Sequence, residues 1–190
     1  MKKRVVYVNG NFVDEDKAKV SVFDRGFLFA DAVYEVTAVI DGKILEWDGH
    51  VKRLERSLKE LDMKFPISET ELLDIHFDLI KKNTLKEGLI YLQVTRGEDD
   101  RSFDYPDESV KPTLVLFTQV KSLAESNIAK TGLKVISVPD MRWGRRDIKT
   151  VQLLAPSMCK MMAKKKNKDD AWMIQDGFIT EGTSNNAYII

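Results

Sequence analysis

Short apolar runs broken by polar turns fill the first 120 residues, and their period switches between that of a strand and that of a helix. Residues 5–8 and 11–13 flank Asn9-Gly10, a dipeptide suited to a type I′ turn, so the chain is predicted to open with a β-hairpin. Residues 31–40 form a β-rich run, and Asp41-Gly42 turns it into a second hairpin arm over 43–47. Asp48 is placed to cap a helix whose apolar stripe is Val51, Leu54, Leu58 and Leu61. Pro66 ends that segment, and Ser68 with Glu71 three residues on reads as a capping box for a helix over 72–82. Strands are predicted at 89–95 and 113–120.

The polar stretch 121–131 lacks a strand period and reads as a linker. It would divide a small amino-terminal α/β domain, residues 1–120, from the start of a larger domain, residues 132–190. In the second part a strand over 133–138 leads through an irregular stretch to a helix over 151–165. A strand at 171–174 then turns at Asp176-Gly177 into 178–180. Lysines 164–166 and 168 suit the carboxyl end of that helix, where cations are favoured. Ala187-Tyr188-Ile189-Ile190 has the pattern of an apolar core strand, which is expected of an incomplete second domain.

Composition narrows the function classes. The apolar fraction is 43% over 190 residues, ample for one packed domain or two small ones. Lys plus Arg and Asp plus Glu are 30 each, which argues against a general nucleic-acid binder. No apolar run approaches a membrane span, and the basic start Met1-Lys2-Lys3-Arg4 leads into a strand-like run, not a signal-peptide core. Cys159 has no internal cysteine to pair with, so a reducing, cytoplasmic setting is expected. Two histidines and one cysteine leave little for a zinc site, and no metal is expected. His50 and His76 are read as helix-surface residues.

Two places carry chemistry. Lys149 lies in Arg145-Arg146-Asp147-Ile148-Lys149-Thr150, beside a predicted strand-helix junction. Glu181 follows 32 positions later (181 − 149), in Thr180-Glu181-Gly182-Thr183-Ser184-Asn185-Asn186. This order fits an enzyme using pyridoxal 5′-phosphate (PLP). A lysine amine forms a Schiff base with the aldehyde, and a carboxylate keeps the pyridine nitrogen protonated. The chemistry needs a neutral amine near pH 7, which burial or neighbouring positive charge would supply. Ile148 before Lys149 and Val151, Leu153 and Leu154 after it favour a sheltered position over the solvated one usual for lysine. Arg53 falls on the flank of the first helix, beside its apolar stripe, and a guanidinium suits phosphate because its planar donors can bind two oxygens at once.

Asp24-Arg25-Gly26, Asp31-Ala32-Val33-Tyr34-Glu35-Val36, His50-Val51-Lys52-Arg53-Leu54 and Tyr91-Leu92-Gln93-Val94-Thr95-Arg96-Gly97 extend the case. Together with Arg142-Trp143 through Lys149, and with Thr180 to Asn186, they resemble the class IV aminotransferases (PLP fold type IV) from end to end of the chain. The D-amino acid transaminase branch is the most similar. The resemblance implies a two-domain α/β (α+β) fold with the cofactor in the cleft between domains, and a homodimer. It makes Lys149 the Schiff-base lysine, Glu181 the partner of the pyridine nitrogen and Arg53 a phosphate ligand. Thr183, Ser184 and Asn185 become donors to the cofactor, and Tyr34 and Tyr91 face the substrate. Arg101 aligns with an arginine that binds the substrate carboxylate from the neighbouring subunit. Phe103 stands where that branch has a second cation, a histidine, so a more apolar pocket is expected.

The implied reaction is transamination from a D-amino acid to a 2-oxo acid, with pyruvate or 2-oxoglutarate as acceptor. Two other readings stand beside it. One is another enzyme of the same scaffold: a branched-chain aminotransferase, an (R)-selective amine transaminase or an aminodeoxychorismate lyase. The other is a truncated chain without catalytic function.

Overall fold

The computed structural model describes residues 3–125 and 127–185. The strand predicted at 187–190, and Asn186 of the turn before it, lie outside the described residues. The chain divides into two compact units. One comprises Met1–Ala124 with Asp147–Val151, and the other Glu125–Arg146 with the chain from Gln152 onward.

The first unit is built on one antiparallel sheet. Strands β1 (Val5–Val8) and β2 (Asn11–Asp14) form the first hairpin, and positive φ at Asn9 (45°) and Gly10 (90°) gives the predicted turn. After a short helix α1 (Arg25–Phe29) come β3 (Ala32–Ile40) and the two-residue β4 (Lys43–Ile44). Two helices, α2 (Trp47–Glu60) and α3 (Glu69–Asn83), precede β5 (Gly88–Thr95) and β6 (Thr113–Val120). The strand order is β2-β1-β6-β5-β3-β4, and every pairing is antiparallel. Helices and strands are therefore combined here in the α+β manner.

One face of this sheet carries the core. Val33 and Val39 of β3, Ile90, Leu92 and Val94 of β5, and Leu114 and Leu116 of β6 pack with Leu54 and Leu58 of α2 and Leu72, Ile75 and Leu79 of α3. Each fully buried side chain of this kind contributes about 1.5–3 kcal/mol. Ser68 caps α3 as predicted, its Oγ accepting from the Glu71 backbone N–H at 3.2 Å. Asp48 does not cap α2. The helix starts two residues earlier, from Glu46 in a left-handed conformation (φ 52°), and Asp48 sits in the first turn, where a carboxylate favours the helix dipole.

The expected surface positions of both histidines are corrected. His76 is 1% exposed, its Nδ1 donating to the Leu72 carbonyl at 2.8 Å and its ring edge-on to Trp47. His50 is largely buried, bonded to Glu35. Both lie where α2 and α3 turn inward, which a periodicity read from Leu and Val alone does not register.

The second unit begins within the predicted linker, which contains a short helix α4 (Asn127–Thr131). Strand β7 (Val135–Pro139) pairs in parallel with β8 (Asp170–Gln175), and β9 (Phe178–Gly182) runs antiparallel to β8 with an irregularity at Met173/Ile174. Helix α5 (Leu154–Lys165) lies in the parallel crossover. It starts three residues later than predicted because Pro156 is tolerated in a first turn, while a longer helix would drive its ring against the carbonyl of residue 152. Val138, Cys159, Ala163, Ala171 and Met173 form this unit's core. Among the described residues no helix is long and apolar enough to cross a membrane.

Candidate active site

Lys149 is fixed through its backbone before its side chain. Residues 147–151, expected with the second domain, instead lie along the outer edge of β3: Tyr34 N–H donates to the Lys149 carbonyl at 3.0 Å and Val151 N–H to the Ala32 carbonyl at 3.2 Å. Val33 and Thr150 form an antiparallel bridge, and Ile148, 3% exposed, plugs into the first unit's core. From the helix side, buried Ser57 of α2 takes the Lys149 backbone N–H on its Oγ at 3.3 Å. The lysine therefore sits on a sheet edge, held from two directions, with its side chain partly exposed.

Strand alternation sends Tyr34 and Glu35 to opposite faces of β3. On one face the Lys149 amine donates to the Tyr34 hydroxyl at 3.2 Å and lies 4.4 Å from the centre of its ring. Tyr34 stacks on Tyr91 with centroids 5.6 Å apart, and Tyr91 stacks in turn on Phe117 at 4.9 Å. Tyr91 donates to the Gln93 side chain at 2.8 Å. Burial, with a smaller contribution from Tyr34, pushes its phenol up to about 12, so it remains a donor through the neutral range.

On the helix-covered face Glu35 is 2% exposed and gathers two partners from α2. Arg53 donates from Nε at 2.7 Å and from Nη2 at 2.6 Å, one to each carboxylate oxygen, and His50 Nδ1 lies 2.7 Å from Oε2. Burial works to raise the Glu35 carboxyl, but the bonds from Arg53 and His50 outweigh it and hold the group below its ordinary value. An ionised carboxylate only accepts, so His50 carries a proton on Nδ1. Arg53 and Ser57 are four residues apart, one above the other on α2, so Arg53 stands about 6 Å along the helix from the residue that holds the Lys149 backbone. Sequence reasoning assigned Glu35 and Ser57 no role and placed His50 at the surface. The usable signal was the repetition of polar residues at helical spacing (50, 53, 57) opposite a glutamate within a β-rich run.

The loop after β5 holds the other substrate candidates. Arg25 of α1 and Arg96 both clamp Asp31, at 2.9 and 2.7 Å, and Arg25 also holds the Ser102 carbonyl at 2.7 Å. Gly97 (φ 104°) lets the chain turn close to the Lys111 carbonyl, which an added Cβ would meet at 2.2 Å. The loop presents Arg101 beside the rings of Phe29 and Phe103, with Phe103 81% exposed. It does not bring Arg101 into a described contact with Lys149 or Tyr34.

In the second unit Glu181, on β9 across from Met173, is paired by its carboxylate with Nη1 of Arg142. The rest of the Arg142 guanidinium is fastened to Asp140, its side chain 0% exposed, through Nε at 3.0 Å and Nη2 at 2.8 Å. Arg146 at 3.2 Å and the Thr180 hydroxyl at 2.7 Å complete the shell of Asp140. Its carboxyl is held far below the usual carboxylate range, chiefly by the Arg142 hydrogen bonds. Thr183 and Asn185 turn their side chains onto the buried carboxylate of Asp170, which Lys160 also approaches at 3.3 Å, while Ser184 is exposed. Asp140 and Asp170 are buried carboxylates that the sequence did not single out.

A half-buried amine thus lies on a sheet edge beside stacked aromatic rings, and Glu35 fixes an arginine one helical turn from Ser57. The chain belongs to the class IV aminotransferase family, whose model matches residues 32–190. The D-alanine aminotransferase of Staphylococcus haemolyticus is 36% identical over 185 residues, 97% of this chain and 65% of the relative. That of Bacillus licheniformis is 35% identical over 184 residues, 97% of this chain and 64% of the relative. The chain thus spans about two-thirds of the length of the curated relatives it matches. Among solved structures, the branched-chain aminotransferase of the archaeon Thermoproteus uzoniensis with norvaline gives a TM-score of 0.80 at 19% identity, over 96% of this chain and 63% of that one. The branched-chain enzyme of Escherichia coli gives 0.82 at 20% identity, over 96% and 63%. These likenesses establish the fold as that of the fold type IV aminotransferases.

Proposed function

We propose that this chain carries the lysine side of a PLP-dependent aminotransferase that moves an amine from a D-amino acid to a 2-oxo acid. The observation that carries the reading is the placement of Lys149: its backbone is bonded to β3 and to Ser57, and its amine is oriented by Tyr34 at 3.2 Å. The donor set fits the cofactor. An amine, a guanidinium held by two hydrogen bonds to Glu35, and a carboxylate on β9 match its aldehyde, phosphate and ring nitrogen. When bound, PLP supplies an electron sink for charge developing at the substrate α-carbon.

The chain's own residues do the rest. Lys149 Nζ would take the proton from the α-carbon of the donor amino acid in one half-reaction and give a proton to the α-carbon of the acceptor in the other, with Tyr34 limiting where the amine points. Glu35 holds the Arg53 fork in one orientation, so phosphate binding does not have to order a free side chain. Tyr91, kept protonated, forms the wall behind Tyr34. The D-alanine aminotransferases among the relatives favour a D-amino acid as donor. A homodimer is part of the proposal: Arg101 and Phe103, with Phe27 74% exposed, would face a second copy.

Adding PLP to the purified chain should produce a visible absorption band that is missing in Lys149→Ala. D-alanine should bleach it and L-alanine should not. A colourless wild-type chain, or bleaching by L-alanine alone, would reject the reading. Because exposed Phe103 makes the Arg101 surface more apolar, a substrate panel should include apolar D-amino acids and amines. Pyruvate release without an added keto acid would point instead to lyase chemistry.

A further inference from the structure

Glu181 is a half-exposed residue on a strand, and nothing in β9 itself would hold its carboxylate in one place. The group that does so is Arg142. Its side chain is 12% exposed and anchored on the buried carboxylate of Asp140 by two side-chain hydrogen bonds and one from its own backbone N–H. Arg146 and Thr180 also hold Asp140, both through Oδ2. The remaining arm of Arg142, Nη1, reaches Glu181. A planar guanidinium can bridge two carboxylates in this way, whereas an ammonium is a point charge that serves one.

We propose that Arg142, fixed by Asp140, is the positioning residue for Glu181, holding its carboxylate where it can accept a hydrogen bond from a protonated ring nitrogen. This rests on the reading of Glu181 as the ring partner. The two physical roles open to Arg142 have opposite signs. As a mere neighbouring charge it would weaken the hold of Glu181 on a protonated nitrogen, so its removal would favour that proton. As a positioning residue it makes the hold possible, so its removal would act like removal of Glu181 itself.

The test uses PLP labelled with ¹⁵N in the ring, bound to the wild-type chain and to Arg142→Lys, Glu181→Gln and the double variant. Arg142→Lys keeps a cation for Asp140 and so preserves the fold. The ring ¹⁵N shift is followed against pH. Positioning predicts that Arg142→Lys moves the ring-nitrogen midpoint to lower pH, as Glu181→Gln does, by about one pH unit. It also predicts that the double variant matches Glu181→Gln alone. A midpoint that stays put, rises, or shifts additively in the double variant would overturn the proposal. If the wild-type chain takes up no PLP, the PLP reading fails, but a cofactor-free measurement still decides the Arg142 contact. The Arg142 guanidinium protons should show slow rotation by NMR in the wild type and faster rotation in Glu181→Gln, and identical spectra would sink the idea.

Discussion

At the residue scale, the site depends on small polar groups that fix larger ones. Ser57 is the plainest case: 1% exposed on α2, it accepts the Lys149 backbone N–H. Ser57→Ala should leave that donor without its partner and cost about 1–2 kcal/mol of stability, read from the urea midpoint. It should also broaden the visible band formed with PLP, because the strand segment carrying Lys149 loses its hold on α2. Lys149, Glu181 and Arg53 are singled out in the sequence by the wording of their neighbours, and the roles given to them belong to the proposal. Glu35 and Asp140 were not, since a single carboxylate in a strand or at a strand end has no signature until its arginine arrives from elsewhere in the chain.

At the element scale, the packing of α3 against α2 sets a pH response. His76 is buried and neutral, and burial is the main reason its imidazole falls from the ordinary 6.5 to about 4. The unfolded chain therefore binds a proton near pH 6.5 that the folded chain refuses until about pH 4. Stability is full above pH 6.5 and declines as pH falls through that window, by about 3 kcal/mol at most. Urea unfolding at pH 7 and at about pH 4.5 should show this loss, and His76→Gln should show a smaller one. Elements whose boundaries come from local chemistry were legible. The Asn9-Gly10 and Asp41-Gly42 turns, the Ser68 cap and β6 fall where the pattern puts them. The starts of α2 and α5 moved, because a left-handed Glu46 and the ring of Pro156 outweigh the hydrophobic period.

At the scale of the whole molecule, the exposed aromatic side chains Phe23, Phe27, Phe103 and Tyr105 belong to α1 or its approach and to the loop after β5, segments joined by hydrogen bonds. A surface of this kind is expected to be covered in an assembly. Under the proposed dimer, sedimentation should give about twice the monomer mass, and Phe27→Asp should shift the chain to monomer without altering its far-UV spectrum. The hydrophobic pattern by itself determined most of the run of strands and helices, and the wording of a few short segments pointed to the family and to the lysine of the proposal. These are properties of neighbours along the chain, where period, turn and cap act within a few residues. The tertiary structure alone decided that β6 joins β1 and β5 joins β3, both antiparallel, and that residues 147–151 join the first unit along β3. It also decided that Glu35 and Asp140 each hold an arginine in place. Those outcomes follow from buried charges needing partners and sheet edges needing hydrogen bonds, and the groups that meet both needs come from distant parts of the sequence.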